Sequence, residues 1–138
     1  MDNDNVVKVG MAELSALKHP GVLITLGLGS CVGIALYDRV SKVIGLAHVM
    51  LPSSLQIKNN DNNAKFADTA IVQLLDEMIK LGASRRNIVA KLAGGAQMFA
   101  FNSSLDIMKV GERNTIAAKK KLRELNISII SEDIGGNY

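Results

Sequence analysis

The chain carries one cysteine and two histidines among its 138 residues. The cysteine stands in an unusual setting, Thr25-Leu26-Gly27-Leu28-Gly29-Ser30-Cys31-Val32-Gly33, and one histidine follows in Gly45-Leu46-Ala47-His48-Val49-Met50. A free thiol titrates near pH 8.5, so only a few per cent is thiolate at neutral pH, and an adjacent imidazolium can lower that value by several units. Cys31 and His48 are therefore candidates for nucleophilic catalysis as a Cys⁻/His⁺ pair, provided the fold brings them together. His19 precedes Pro20 at a turn and reads as a surface residue. Two histidines and one cysteine are too few for a dedicated zinc site.

The elements around the two residues supply a geometric test. Val32 to Tyr37 and Lys42 to Leu51 read as strands, joined by the polar connector Asp38-Arg39-Val40-Ser41, which has hairpin length. With that connector as the loop, Tyr37 pairs with Lys42, and the register sets Cys31 directly opposite His48. Directly opposed residues share a face, with Cβ atoms about 4.5–5.5 Å apart. A slip of one residue would send the two to opposite faces.

Two other readings compete for the glycine-rich stretch. A phosphate cradle needs a third glycine where Val32 stands and a helix next, but a strand-like run follows, and no Gly-Lys-Ser/Thr closes it. The other is plain packing: a lone cysteine among glycines is often a small buried residue, and His48 between Ala47 and Val49 could be a core histidine with its hydrogen bonds satisfied. On residue types and spacing, catalysis and packing both stay open.

The rest of the chain sets the scaffold. Hydrophobic residues make up 48%, enough for the core of one domain spanning 1–138. The formal charge of +3 does not call for nucleic acid, and Lys119-Lys120-Lys121-Leu122-Arg123 reads as a solvated helix face. The polar, acidic start is unlike a signal peptide and no apolar run reaches the ~20 residues of a bilayer span, so a cytoplasmic protein is expected. Val6 to Val9 reads as a short strand and Val22 to Leu26 as a buried one. Pro52 to Asn63 reads as an exposed, mobile loop. Ala67, Ala70, Ile71, Leu74, Leu75 and Met78 then fall on one helical face, with Asn63 as cap and Gly82 as terminator. Ile88 to Ala93 is the next strand. A second helix is predicted from about Glu112 to Leu125 with Ala118, Leu122 and Leu125 inward, followed by a strand from Ile127 to Ile130. Strands that come in a run rather than alternating with helices predict an α+β fold, a mixed sheet covered by helices.

Beyond these patterns, Gly21 to Val32 together with Gly45 to Pro52 resembles the CheD family, the chemoreceptor glutamine deamidases of bacterial and archaeal chemotaxis. Lys65-Phe66-Ala67-Asp68-Thr69-Ala70, Gly94-Gly95-Ala96-Gln97-Met98-Phe99, Val110-Gly111-Glu112-Arg113-Asn114 and Glu132-Asp133-Ile134-Gly135-Gly136-Asn137 also resemble family motifs, in the family's order. The resemblance implies an α/β sandwich of mixed, largely antiparallel sheets with two main helices, related to the catalytic domains of deamidating toxins. It implies a Cys-His-Thr triad on Cys31, His48 and Thr25, hydrolysing receptor glutamine amides to glutamate with no metal or cofactor. Within that chemistry, backbone N–H groups near Ser30 and Cys31 are expected to hold the oxyanion, and Gly27 and Gly29 to admit the substrate side chain. The implied partners are chemoreceptor cytoplasmic domains and the CheC phosphatase, with Met98 and Phe99 as a candidate partner surface and no direct membrane insertion. The family usually continues into another strand after the point where this sequence stops. The alternatives are a binding module that regulates CheC with its triad idle, and a thiol hydrolase of small molecules.

Overall fold

The computed structural model describes residues 6–53, 62–96 and 110–135. In chain order the elements are β1 (Val6–Lys8), β2 (Leu14–Lys18), β3 (Val22–Ile24), β4 (Val32–Asp38), β5 (Val43–Val49), α1 (Ala67–Lys80), β6 (Ile88–Gly94), α2 (Val110–Glu124) and β7 (Ser128–Ile134). Five strands form one sheet in the order β2-β5-β4-β6-β7, antiparallel except for β6 and β7, and β1 pairs with β3 in a separate parallel ribbon. Parallel neighbours cannot be joined by a tight turn, so the β6 to β7 connection is a crossover, and it contains α2. Mixed, largely antiparallel sheets with two helices are the α+β architecture the sequence predicts. Among the described residues no helix is long and apolar enough to cross a membrane.

The central strand is β4, and its alternate residues Val32, Ile34 and Leu36 face the helices together with Val43, Ala47 and Val49 of β5 and Ala90 and Leu92 of β6. Against them lie Ala67, Ala70, Ile71, Leu74, Leu75 and Met78, the stripe read from the sequence, with Ala118 and Leu122 of α2 beside it. Each fully buried Leu, Ile or Met contributes about 1.5–3 kcal/mol relative to exposure. Gly45 lets α1 approach the sheet, since a Cβ there would stand 2.9 Å from both Leu74 Cδ1 and Met78 Sδ.

Several local expectations are corrected. Val22 to Leu26 is not a buried strand: β3 stops at Ile24, Val22 is 50% exposed and Leu26 69% exposed, because among the described residues its one strand partner is β1, in a two-stranded ribbon apart from the main sheet. Asn62, not Asn63, is the capping residue; its side chain accepts from Ala64 N–H and starts a short 3₁₀ turn, Asn63–Lys65, ahead of α1. The final strand runs on to Ile134. Of the predicted loop from Pro52 to Asn63, residues 54–61 lie outside the described residues, as do Met98 and Phe99.

The hairpin register is the correction with consequences for the site. Asp38 ends β4 rather than opening the loop, because its buried carboxylate caps the turn: Oδ1 accepts from Val40 N–H at 2.8 Å and Ser41 N–H at 2.9 Å, and Oδ2 accepts from Ser84 N–H at 2.7 Å. The loop is therefore Arg39 to Lys42, with Lys42 at φ +65°. It has the predicted length but is slid by one residue, so Tyr37 pairs with Ile44 and Gly33, not Cys31, stands opposite His48. A slide of one residue in a fixed-length loop moves the register by two, which preserves faces. Cys31 lies one residue ahead of β4, outside the paired residues, while Gly33, two residues on, shares its side of the pleat with His48.

Candidate active site

His48 sits near the end of β5, with 1% of its surface exposed. Its backbone is fixed on the β2 side, where its N–H donates to Glu13 O at 3.0 Å and its carbonyl accepts from Ala12 N–H at 2.9 Å. The imidazole is fixed by Thr25, whose Oγ1 lies 2.8 Å from Nδ1. That hydroxyl also donates to Val9 O at 2.6 Å. Its one hydrogen is thus committed, so it can only accept from His48, which places the ring proton on Nδ1 and a lone pair on Nε2. Nε2 is buried and has no hydrogen-bond partner among the described residues. The peptide of Val9, itself buried, is tied to the same ribbon through Val9 N–H to Ile24 O at 2.7 Å.

Cys31 follows a turn in which Gly27 and Gly29 have φ of +66° and +52°, conformations that favour glycine. The thiol is not hydrogen-bonded to Nε2. Burial pushes the Cys31 thiol up and the His48 imidazolium down. Both shifts run against the Cys⁻/His⁺ form. The reason is desolvation, which disfavours both charged forms where no opposite charge or donor offsets it.

The turn also revises the expected oxyanion donors. Cys31 N–H donates to Leu28 O at 2.8 Å and is not free. Among the described residues the Ser30 N–H has no protein acceptor. Gly27 has open space where a Cβ would be, so the need for glycine there comes from its φ and not from crowding. A cleft of about 370 Å³ lies beside the turn, lined by Gly27, Leu28 and Gly29 on one side and Gly94, Ala96, Asp133 and Gly135 on the other. No three His, Cys, Asp or Glu residues among those described are grouped as metal ligands.

Sequence reasoning overlooked what stands behind the turn. Asn114 of α2, fully buried, donates from Nδ2 to Ser30 O and to Met50 O, each at 2.9 Å. Gly95 N–H donates to Cys31 O at 2.7 Å and Ala96 N–H to Gly29 O at 2.8 Å. All four hydrogen bonds are donated from segments singled out as motifs, Gly94 to Phe99 and Val110 to Asn114, yet nothing in either segment names its distant acceptors.

Comparison with known proteins gives a consistent result. The family model described as CheD chemotactic sensory transduction matches residues 50–138. The chain is 55% identical over 133 residues to a protein of Caldanaerobacter subterraneus subsp. tengcongensis named probable chemoreceptor glutamine deamidase CheD, covering 96% of this chain and 82% of that protein. It is 57% identical over 133 residues to the protein of that name from Lachnoclostridium phytofermentans, covering 96% and 83%. It is also 55% identical over 135 residues to the chemoreceptor glutamine deamidase CheD of Halalkalibacterium halodurans, covering 97% and 83%. Among solved structures, a Neisseria meningitidis protein of family DUF152 superposes with a TM-score of 0.60 at 10% identity, over 95% of this chain and 64% of that one. That likeness is of fold alone.

Proposed function

The chain belongs to the CheD family, and on that premise we propose that it hydrolyses glutamine side-chain amides on chemoreceptors to glutamate, with Cys31 as nucleophile, His48 as acid and base and Thr25 as the orienting group. The observation that carries this assignment is the Val9–Thr25–His48 relay, which leaves an unpartnered Nε2 lone pair on a histidine that stands opposite Gly33, two residues from Cys31.

With burial disfavouring both charged forms, the proposed order joins proton transfer to attack. As Cys31 Sγ attacks the amide carbon, Nε2 takes the thiol proton, so the thiolate forms only as it is consumed. The amide oxygen becomes an oxyanion, for which Ser30 N–H is the proposed donor. Collapse expels ammonia, to which the imidazolium returns the proton, and leaves a thioester. Nε2 then takes a proton from water as the water adds to the thioester carbon; collapse releases glutamate and restores the thiol. The imidazolium that forms twice is stabilised by Nδ1–H donating to Thr25 Oγ1, itself held by Val9 O. The cleft bordered by Gly27 and Gly29 is the proposed approach for the glutamine side chain.

The cytoplasm is the proposed location, since the substrates are receptor cytoplasmic domains, and CheC is the proposed partner from family membership. Incubation with a receptor cytoplasmic fragment should add about one dalton at particular glutamines through exchange of NH₂ for OH. Cys31→Ala should abolish the gain. A gain that persists in Cys31→Ala would refute the nucleophile, and no gain with wild-type protein on any receptor would favour the CheC-regulating module.

A further inference from the structure

The turn that presents Cys31 is held from behind by three donors to three consecutive carbonyls. Ala96 N–H holds Gly29 O, Asn114 Nδ2 holds Ser30 O, and Gly95 N–H holds Cys31 O. Because a trans peptide points its C=O and N–H in opposite directions, holding a carbonyl also aims the amide of the next residue. The Gly29 carbonyl held against Ala96 turns Ser30 N–H away from that backing. The Ser30 carbonyl held against Asn114 turns Cys31 N–H into its bond with Leu28 O, and this closes the turn.

Asn114 is the only side chain among the three donors. Its amide orientation follows from its partners, since two carbonyls at 2.9 Å require the nitrogen and both its hydrogens. The second acceptor, Met50 O, lies two residues beyond His48, so one side chain brackets the peptide before the nucleophile and the strand that leaves the imidazole. Asn114 Oδ1 is buried without a partner among the described residues, a costly arrangement for a residue whose only task is to fill space. The helix that carries it is packed against the Gly95–Ala96 backbone: a Cβ on Gly111 would overlap Ala96 O, and one on Gly95 would overlap Thr115 Oγ1.

We propose that Asn114 is a positioning residue for deamidation: by fixing the Ser30–Cys31 peptide it keeps the turn closed through Cys31 N–H to Leu28 O, and so holds the Gly29–Ser30 peptide in the middle of that turn, whose Ser30 N–H is the oxyanion donor. The inference rests on the thiol mechanism proposed above and goes beyond it in assigning α2 a part in transition-state stabilisation.

The test compares two reactions of the same thiol. Deamidation passes through an oxyanion, whereas alkylation of Cys31 by iodoacetamide does not. Asn114→Leu keeps the approximate volume and removes both donors, and Asn114→Ala is the companion. With an oxyanion donor misaimed rather than deleted, kcat for deamidation should fall about ten- to a hundredfold while KM and the alkylation rate constant stay within about threefold. Unchanged kcat, or an alkylation rate that falls in step with kcat, would overturn the proposal. So would failure of both variants to fold, which would make Asn114 a stability residue. Full deamidation by Cys31→Ala would instead remove the thiol mechanism, an outcome separable because it needs no Asn114 variant.

Discussion

Thr25 Oγ1 stands 2.8 Å from His48 Nδ1 and 2.6 Å from Val9 O, and these two distances together fix the tautomer of the imidazole. In the proposed triad a threonine stands where more familiar triads have a carboxylate, so the group that orients the ring adds no charge. It gives the imidazolium a dipole rather than an anion, in keeping with the lowered pKa of His48.

Thr25→Val keeps the shape and removes the hydroxyl. A neutral hydrogen bond contributes about 0.5–1.5 kcal/mol, so kcat should fall on the order of tenfold through loss of ring orientation. Thr25→Ser should retain most of the activity. Steady-state deamidation of a receptor fragment by both variants checks this, and a valine variant as active as serine would contradict it.

Cys31 should show no thiolate plateau at neutral pH. Burial raises its pKa, so the rate of iodoacetamide modification should climb with a midpoint above the ordinary cysteine value of about 8.5. Burial lowers His48, so deamidation should reach its plateau from a limb lying below that residue's ordinary value of 6.5. Fast, pH-independent alkylation around neutrality would instead reveal an ion pair.

Asp38 predicts acid sensitivity. Burial pushes its carboxyl up, but N–H donors from Ser84, Ser41 and Val40 outweigh burial and hold it below the ordinary carboxylate value. A folded pKa below the unfolded one means that the stabilisation is complete above the unfolded value, about 3.9, and is lost as pH falls through the folded value. Asp38→Asn cannot accept from all three donors and should be less stable at neutral pH by about 1–3 kcal/mol. Urea melts of the two proteins should converge as pH drops toward the folded pKa.

Gly29→Val should separate folding from activity. A β-branched residue at φ +52° costs about 1–3 kcal/mol locally and shifts the peptide that carries Ser30 N–H. The variant should stay folded by circular dichroism, with deamidation reduced about a hundredfold or more. Near-normal deamidation would show that the turn tolerates another geometry.

Much of this was legible locally. The α1 stripe from Ala67 to Met78 follows from helical spacing, and the β4–β5 hairpin from two apolar runs around a polar connector. The side of the sheet on which His48 stands was legible for a deeper reason: it depends only on loop length, which was as read, and not on loop position, which was off by one and set Gly33 rather than Cys31 opposite it. What escaped the sequence was non-local. The pairing of β1 with β3 exposes Val22, and no pattern within Val22 to Leu26 announces that partner. Asn114 reaches Ser30 across 84 residues of chain, so its spacing carries no signal. The directions in which Cys31 and His48 shift follow from burial, which residue types alone do not report.

The four-residue turn from Arg39 to Lys42 therefore constrains how such a gene can vary. Its side chains have no contact with the chemistry, and substitutions there should be accepted where they suit the φ of +65° at Lys42. Gaining or losing one codon is different: with β4 and β5 still paired, an odd change in loop length would turn His48 to the other face of the sheet and take Ala47 and Val49 out of the core, so that fold and site would fail together. Changes of two codons would keep the sidedness. Lineages of this hairpin should record even steps in turn length wherever the activity survives.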